Sequence, residues 1–182
     1  MSFPAFLDTC TIFGAAVNDL FLELAEEGSY RPLWSSHVLG ELESNLADRI
    51  GAQPASDRVN AMRDAFPDAL VTEYELLIPS MTNDPKDRHV LAAAVRANAE
   101  VIVTFNLRDF GDEALAPYDI TAIHPDEFLL DQLDLYPELT VKSVEHIAEG
   151  YESPPMTTLD FLEKLERGGV PKFAEAIRGA LS

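Results

Sequence analysis

Apolar residues along the chain fall in short blocks that switch between strand and helix spacing. Phe3, Pro4, Ala5, Phe6 and Leu7 form an apolar run that stops at Asp8, which predicts a buried central strand. After Thr9, Cys10 and Thr11 the spacing is helical from about Ile12 to Glu26, with Leu20 and Leu24 on related faces and Gly28 as the stop. Pro32, Leu33 and Trp34 predict a second strand. Ser35 or Ser36 then opens a helix whose apolar stripe is Val38, Leu39, Leu42 and Leu46. Another helix is predicted over 56–66, with Val59, Met62 and Phe66 inward, followed by an irregular or extended stretch over 70–79. Asp84 before Pro85 marks a helix start, and that helix runs to about Asn98 with Val90, Leu91, Ala94 and Val95 on its buried side. Val101–Thr104 is the clearest strand, Ile120–Ile123 is the last, and a helix starts from Asp126. Beyond about Leu135 only helical spacing remains, near 137–149, 157–167 and 171–181.

Strands alternating with helices predict an α/β fold with a central parallel sheet, right-handed crossovers and helices on both faces. Ligands of such sheets bind outside the carboxyl ends of the strands. Asp8 and the Asn106–Asp109 loop both follow strands at that end. The expected organisation is a catalytic domain over 1–134 and a helical C-terminal extension over 135–182.

Composition narrows the class. The chain has 182 residues, 47% of them hydrophobic, and can bury a sizeable core. One cysteine, Cys10, excludes an intramolecular disulfide framework and a cysteine-based zinc site. No apolar run approaches the roughly 20 residues of a membrane span. The N-terminus lacks a basic region and carries Asp8, which argues against a signal peptide, so a cytoplasmic protein is expected. Thirty-two acids against 13 Lys and Arg give a net charge of −19, unsuited to nonspecific nucleic-acid binding. Residues 109–163 hold fourteen acids and one base, Lys142. Such a face is either solvated surface or a dock for a basic partner.

Several acids stand where strands end or helices begin: Asp8, Glu41, Asp87 and Asp109, with Asn106 three positions before the last. Each has an ordinary structural explanation as a cap, a turn residue or an exposed helix acid. Asp84 reads first as an N-cap. If the sheet is parallel, these segments converge above one edge of it. Crowded carboxylates repel one another unless a cation relieves them, and oxygen-only ligands favour Mg²⁺ or Mn²⁺ over zinc. Such a site suits phosphodiester hydrolysis. Cys10 reads as structural. His89, two positions from Asp87, is expected to point elsewhere and to pack in the core or at the surface. His37, His124 and His146 show no pairing pattern, and no Walker loop, GxGxxG, GxSxG or HExxH motif is present.

Four stretches, FLDTCTIFGA at 6–15, SSHVLGELESNL at 35–46, NDPKDRHVLAAAV at 83–95 and VIVTFNLRDF at 101–110, resemble the PIN-domain ribonucleases, particularly the VapC-like toxins of type II toxin–antitoxin pairs. The resemblance implies a three-layer α/β/α domain and a metal-dependent endoribonuclease using Mg²⁺ or Mn²⁺. It places the family's acids on Asp8, Glu41 and Asp87. The fourth is open between Asn106, where the family often has an acid or Asn, and Asp109. Thr9 falls where a small hydroxyl is common and is implied to support the metal-bound water. The implied partners are an RNA substrate and an antitoxin with a basic segment, and homodimerisation is a family expectation. Arg88, Arg96 and Arg108 lie near these acids in sequence and are the candidates for phosphate contact. A second reading keeps the fold without catalysis, the acidic pocket capturing an arginine or lysine of a partner. A haloacid-dehalogenase-type phosphohydrolase would want an acid where Cys10 stands.

Overall fold

A computed structural model describes residues 3–181. In chain order the elements are β1 (Pro4–Leu7), α1 (Thr9–Phe13), α2 (Ala15–Glu26), β2 (Arg31–Ser35), α3 (Ser36–Ile50), α4 (Ala52–Ala65), β3 (Leu70–Val71), α5 (Arg88–Arg96), β4 (Val101–Val103), α6 (Asp112–Leu115), β5 (Thr121–Ile123), α7 (Pro125–Leu135), α8 (Pro137–Glu149), α9 (Thr158–Arg167) and α10 (Pro171–Leu181). They fall into two compact units: residues 1–13 with 30–123, and residues 14–29 with 124–182. Residues 124–134, expected within the catalytic domain, belong to the second unit. The units instead part between Ile123 and His124, and the 14–29 segment joins the second.

The first unit holds a five-stranded, all-parallel sheet in the order β3-β2-β1-β4-β5. Ala5, Phe6 and Leu7 of the central strand are fully buried, which is why β1 reads as an unbroken apolar run. From β1 the connections step outward to β2 and β3, then return to β4 and step the other way to β5. Right-handed crossovers therefore put α3 and α4 on one face and α5 and α6 on the other, the expected three-layer α/β/α arrangement. The direction changes between β1 and β4. A crevice opens at such a switch point, outside the carboxyl ends of the two strands. Asp8 and Thr104 stand at those ends.

Local chemistry sets the elements around this crevice. Ser35 caps α3, its hydroxyl accepting from the Val38 amide at 3.1 Å. Val38, Leu39, Leu42 and Leu46 are all buried. The helix expected over 12–26 is two helices. Gly14 is extended between them (φ −69°, ψ 130°), and the chain passes there from one unit to the other. The start at Asp84 is also different: Pro85–Asp87 forms a 3-10 turn, with the Asp84 carboxylate accepting from the Lys86 amide at 3.1 Å, and the α-helix begins at Arg88. Phe66 and Val95, expected inward, are only partly buried.

The second unit is helical. α2 packs on α8 and α9, and α7 packs on α8 and α10. Phe21 and Phe128 stack with ring centroids 5.2 Å apart. The buried Asp126 carboxylate caps α10 by accepting from the Lys172 and Phe173 amides at 3.0 and 2.8 Å. Among the described residues no helix is long and apolar enough to cross a membrane.

Candidate active site

Asp8 is the first acid beyond the central strand and is only 5% exposed. Its Oδ1 accepts from the Thr9 amide at 2.8 Å and its Oδ2 from the Thr104 hydroxyl at 2.8 Å. Burial pushes its carboxyl above the ordinary range, opposed by the Thr104, Thr9 and Cys10 hydrogen bonds and reinforced by the charge of Glu41. Thr104 is fully buried, and its hydroxyl also accepts from the Asn106 amide at 3.0 Å, which fixes the loop after β4. Cys10 is structural, as its sequence context suggests. Its sulfur accepts from the Phe105 amide at 3.4 Å, and burial followed by the Asp8 charge drives the thiol up to about 11.

The second acidic group comes from the turn before α5 and the loop after β4. Carboxylate oxygens of Asp84, Asp87 and Asp109 lie within 4.8 Å of one another. Asp87 is pushed up to about 7, first by burial, then by its hydrogen bond with Asp109 and by the charges of Asp8 and Asp109. For Asp109 desolvation acts in the same raising sense, but the Asp87 and Lys86 hydrogen bonds outweigh it and hold this carboxyl below the usual range. The Lys86 ammonium stands 3.2 Å from Asp109. Asn83 anchors the turn from beneath, its amide donating to the Asp87 carbonyl at 3.1 Å.

Glu41 approaches from the third side, on α3. Its Oε1 lies 3.1 Å from His89 Nε2 and 3.6 Å from His37 Nε2, and the two imidazoles stack with centroids 3.6 Å apart. The His89 hydrogen bond, against desolvation and helped by both imidazoles, keeps Glu41 below the ordinary carboxylate range. His89 was expected to point away from the acids, and His37 to lack a partner. His89 is buried, as packing in the core requires, yet it faces Glu41 because α5 begins one residue after Asp87, so the spacing from Asp87 to His89 is not that of a continuous helix; His37 meets Glu41 through the i,i+4 spacing on α3. The other histidines have partners too. His124 caps α7, its Nδ1 accepting from the Asp126 amide at 3.0 Å, and His146 Nδ1 lies 2.7 Å from Glu23.

Asp8, Thr9, Glu41, Asp87 and Asn106 line one cavity of about 350 Å³, together with Cys10, Phe13, Asn45 and Lys86. Asp109 and Arg108 line the neighbouring cavity of about 500 Å³ with Lys86, Phe105, Asn106 and Leu107. Two atoms show that the first cup suits a cation. Asp87 Oδ2 and Thr9 Oγ1 are buried without a hydrogen-bond partner. A buried carboxylate oxygen in that state is costly, and a hard cation satisfies it while removing the repulsion among Asp8, Asp87 and Asp109. Asp84 does not line the cup and serves as a cap.

The three arginines separate. Arg88 donates from Nε to the Asn83 carbonyl at 3.0 Å, and Arg96 pairs with Glu73 at 3.3 Å on the surface. Among the described residues only Arg108 of the three lines either cavity. Lys86, which no motif marks as a site residue, lines both. Its position directly after the Asp84-Pro85 helix start was the available signal.

The PIN-domain family profile matches residues 4–108, a span containing every element that builds the cup. The chain belongs to the PIN-domain family. Its PIN domain carries Asp8, Glu41 and Asp87 on the strand end, the α3 helix and the turn before α5. Residues 125–179 match a second family, the VapC50 C-terminal domain, which falls on the helices α7 to α10 of the second unit. A Mycobacterium tuberculosis (strain ATCC 25618 / H37Rv) protein named "Putative ribonuclease VapC50" is 48% identical over 130 residues, covering 71% of this PIN-domain chain and 76% of the relative. No solved structure matches the chain.

Proposed function

We propose that this PIN-domain chain is a cytoplasmic endoribonuclease that hydrolyses RNA phosphodiester bonds with Mg²⁺ or Mn²⁺, and that it is the toxin of a toxin–antitoxin pair. The observation that carries the reading is the meeting of Asp8, Glu41 and Asp87 around one cavity that also contains a buried, unpartnered carboxylate oxygen. The 48% identity to a protein named as a ribonuclease supports the same chemistry.

Asp8, Glu41 and Asp87 would hold the ion, with Asn106 and Asp109 at the rim. When bound, a hard divalent cation offsets phosphate charge and lowers the pKa of a water to a useful range. The chain's own groups do the rest. Thr104 and the Thr9 amide fix the Asp8 carboxylate in one rotamer. Lys86 and Arg108, at the mouth of the adjoining cavity, supply positive charge to the RNA backbone on a protein whose net charge of −19 otherwise repels it. Asn106 offers a neutral oxygen and Asp109 a charged one to the same rim. Asp109 is already engaged by Lys86, so Asn106 falls to the ion and Asp109 to keeping Lys86 in place.

Cleavage of an RNA pool with added Mg²⁺ or Mn²⁺ tests this. The intact chain cleaves, EDTA stops cleavage, and Asp8→Asn and Asp87→Asn each lose activity while keeping the circular dichroism of the parent. Full activity of either variant rejects the assignment. The binding-only reading draws on the ion pair between Lys86 and Asp109, which shows that this rim accepts a basic side chain. An intact chain that binds a basic peptide at the cup but neither binds Mn²⁺ nor cleaves RNA decides for it.

A further inference from the structure

The cluster of His37, Glu41 and His89 has no assigned role in the cup, although it shares Glu41 with it. The geometry points to a second, imidazole-rich metal site at His37, Glu41 and His89 that takes zinc or a similar borderline divalent ion and silences the nuclease by withdrawing Glu41 from the acid cup. The silencing half rests on the ribonuclease reading above; the site itself does not.

The donor set separates the two sites. The cup offers only oxygen, which suits Mg²⁺ and Mn²⁺, whereas two imidazoles and a carboxylate form a set suited to zinc, nickel or cobalt. The spacing fits as well. Metal–ligand bonds of about 2.0–2.1 Å in a tetrahedron leave the ligand atoms about 3.3 Å apart. Glu41 Oε1 stands 3.1 Å from one imidazole nitrogen and 3.6 Å from the other, on either side of that value, and all three ligand atoms lie within 4.8 Å of one another.

Two further observations favour an ion over a purely structural contact. His89 Nδ1 is buried without a partner, so no group outside the cluster commits the ring proton to Nε2. That nitrogen can therefore present its lone pair to an ion. The side chain of His37 is 52% exposed, so its ring can turn from the stacked pose and aim its in-plane lone pair at the same point. Glu41 lines the acid cup, and one carboxylate drawn toward two imidazoles is not free to complete the oxygen set beside Asp8 and Asp87.

Zinc titrated calorimetrically into the full chain in excess Mg²⁺ tests the site. The expected result is saturable binding that weakens at least about tenfold in His37→Ala, a change on the exposed side of the cluster. Cobalt(II) in place of zinc gives the strong visible absorption of a four-coordinate ion, and His37→Ala loses it. With RNA and Mg²⁺ alone, His37→Ala cleaves like the parent, and zinc inhibits only the parent. Equal zinc affinity in the parent and His37→Ala overturns the site. Equal inhibition of both overturns the silencing. If the parent cleaves no RNA, the nuclease reading and the silencing fall together, while the calorimetric and cobalt measurements still decide the site.

Discussion

The Thr104 hydroxyl donates to Asp8 Oδ2 at 2.8 Å, joining the ends of β4 and β1 at the point where the sheet's connections reverse direction. The same oxygen accepts from the Asn106 amide. Thr104 therefore sets both the Asp8 carboxylate and the loop that carries Asn106, Arg108 and Asp109.

Replacing Thr104 by Val keeps the shape and removes both bonds. A hydrogen bond to a charged group is worth about 1.5–3 kcal/mol, and Thr104→Val is expected to lose a comparable amount of unfolding free energy along with most RNA cleavage. Thr104→Ser restores the donor and recovers activity. Denaturant titration and cleavage assays on both variants check this; a Val variant as active as the parent shows that Asp8 needs no such tether.

Asp87 predicts a pH dependence of the metal-free chain. Its carboxyl titrates at about 7 in the folded protein against an ordinary 3.8. Between those values the folded chain holds a proton that the unfolded chain has released, so stability falls as pH rises through this window. Asp87→Asn removes the penalty. In EDTA at about pH 8 its melting temperature exceeds that of the parent, and the difference shrinks toward about pH 5. Melting scans at several pH values measure the gap, and a gap independent of pH contradicts the account of Asp87.

The cation placement yields a contrast in RNA binding. Arg108 lines the cavity beside the cup, whereas Arg96 is paired with Glu73 away from it. In an Asp87→Asn background, where RNA is bound but not cut, Arg108→Ala lowers the slope of log affinity against log salt by about 0.7, the value for one phosphate contact on single-stranded RNA. Arg96→Ala leaves the slope unchanged. Filter binding across a salt series reads both, and equal slopes for the two variants reject the placement.

Much of this was legible in the residues. The unbroken apolar run before Asp8 gave β1, because a strand buried on both faces needs no polar alternation. Ser35 and the stripe from Val38 to Leu46 gave α3. The four motif stretches brought Asp8, Glu41 and Asp87 together in expectation, and they line one cavity. What escaped depended on short-range geometry that spacing does not encode. The 3-10 turn over Pro85–Asp87 shifts the start of α5, and that shift turns His89 toward Glu41. The extended backbone at Gly14 divides one helical pattern in two, since the apolar periodicity continues across the break. Arg88 lay close to the acids in sequence, but its guanidinium is engaged by the Asn83 carbonyl. The 124–134 segment has ordinary amphipathic spacing, so nothing in it indicates which compact unit it joins.

The most direct measurement of the central claim is calorimetric titration of Mn²⁺ into the zinc-free chain and into Asp8→Asn and Asp87→Asn. If acids from the end of β1, from α3 and from the turn before α5 hold one ion, the parent binds Mn²⁺ saturably and each variant binds it at least about tenfold more weakly. Undiminished affinity in both variants, or no binding to the parent, contradicts it.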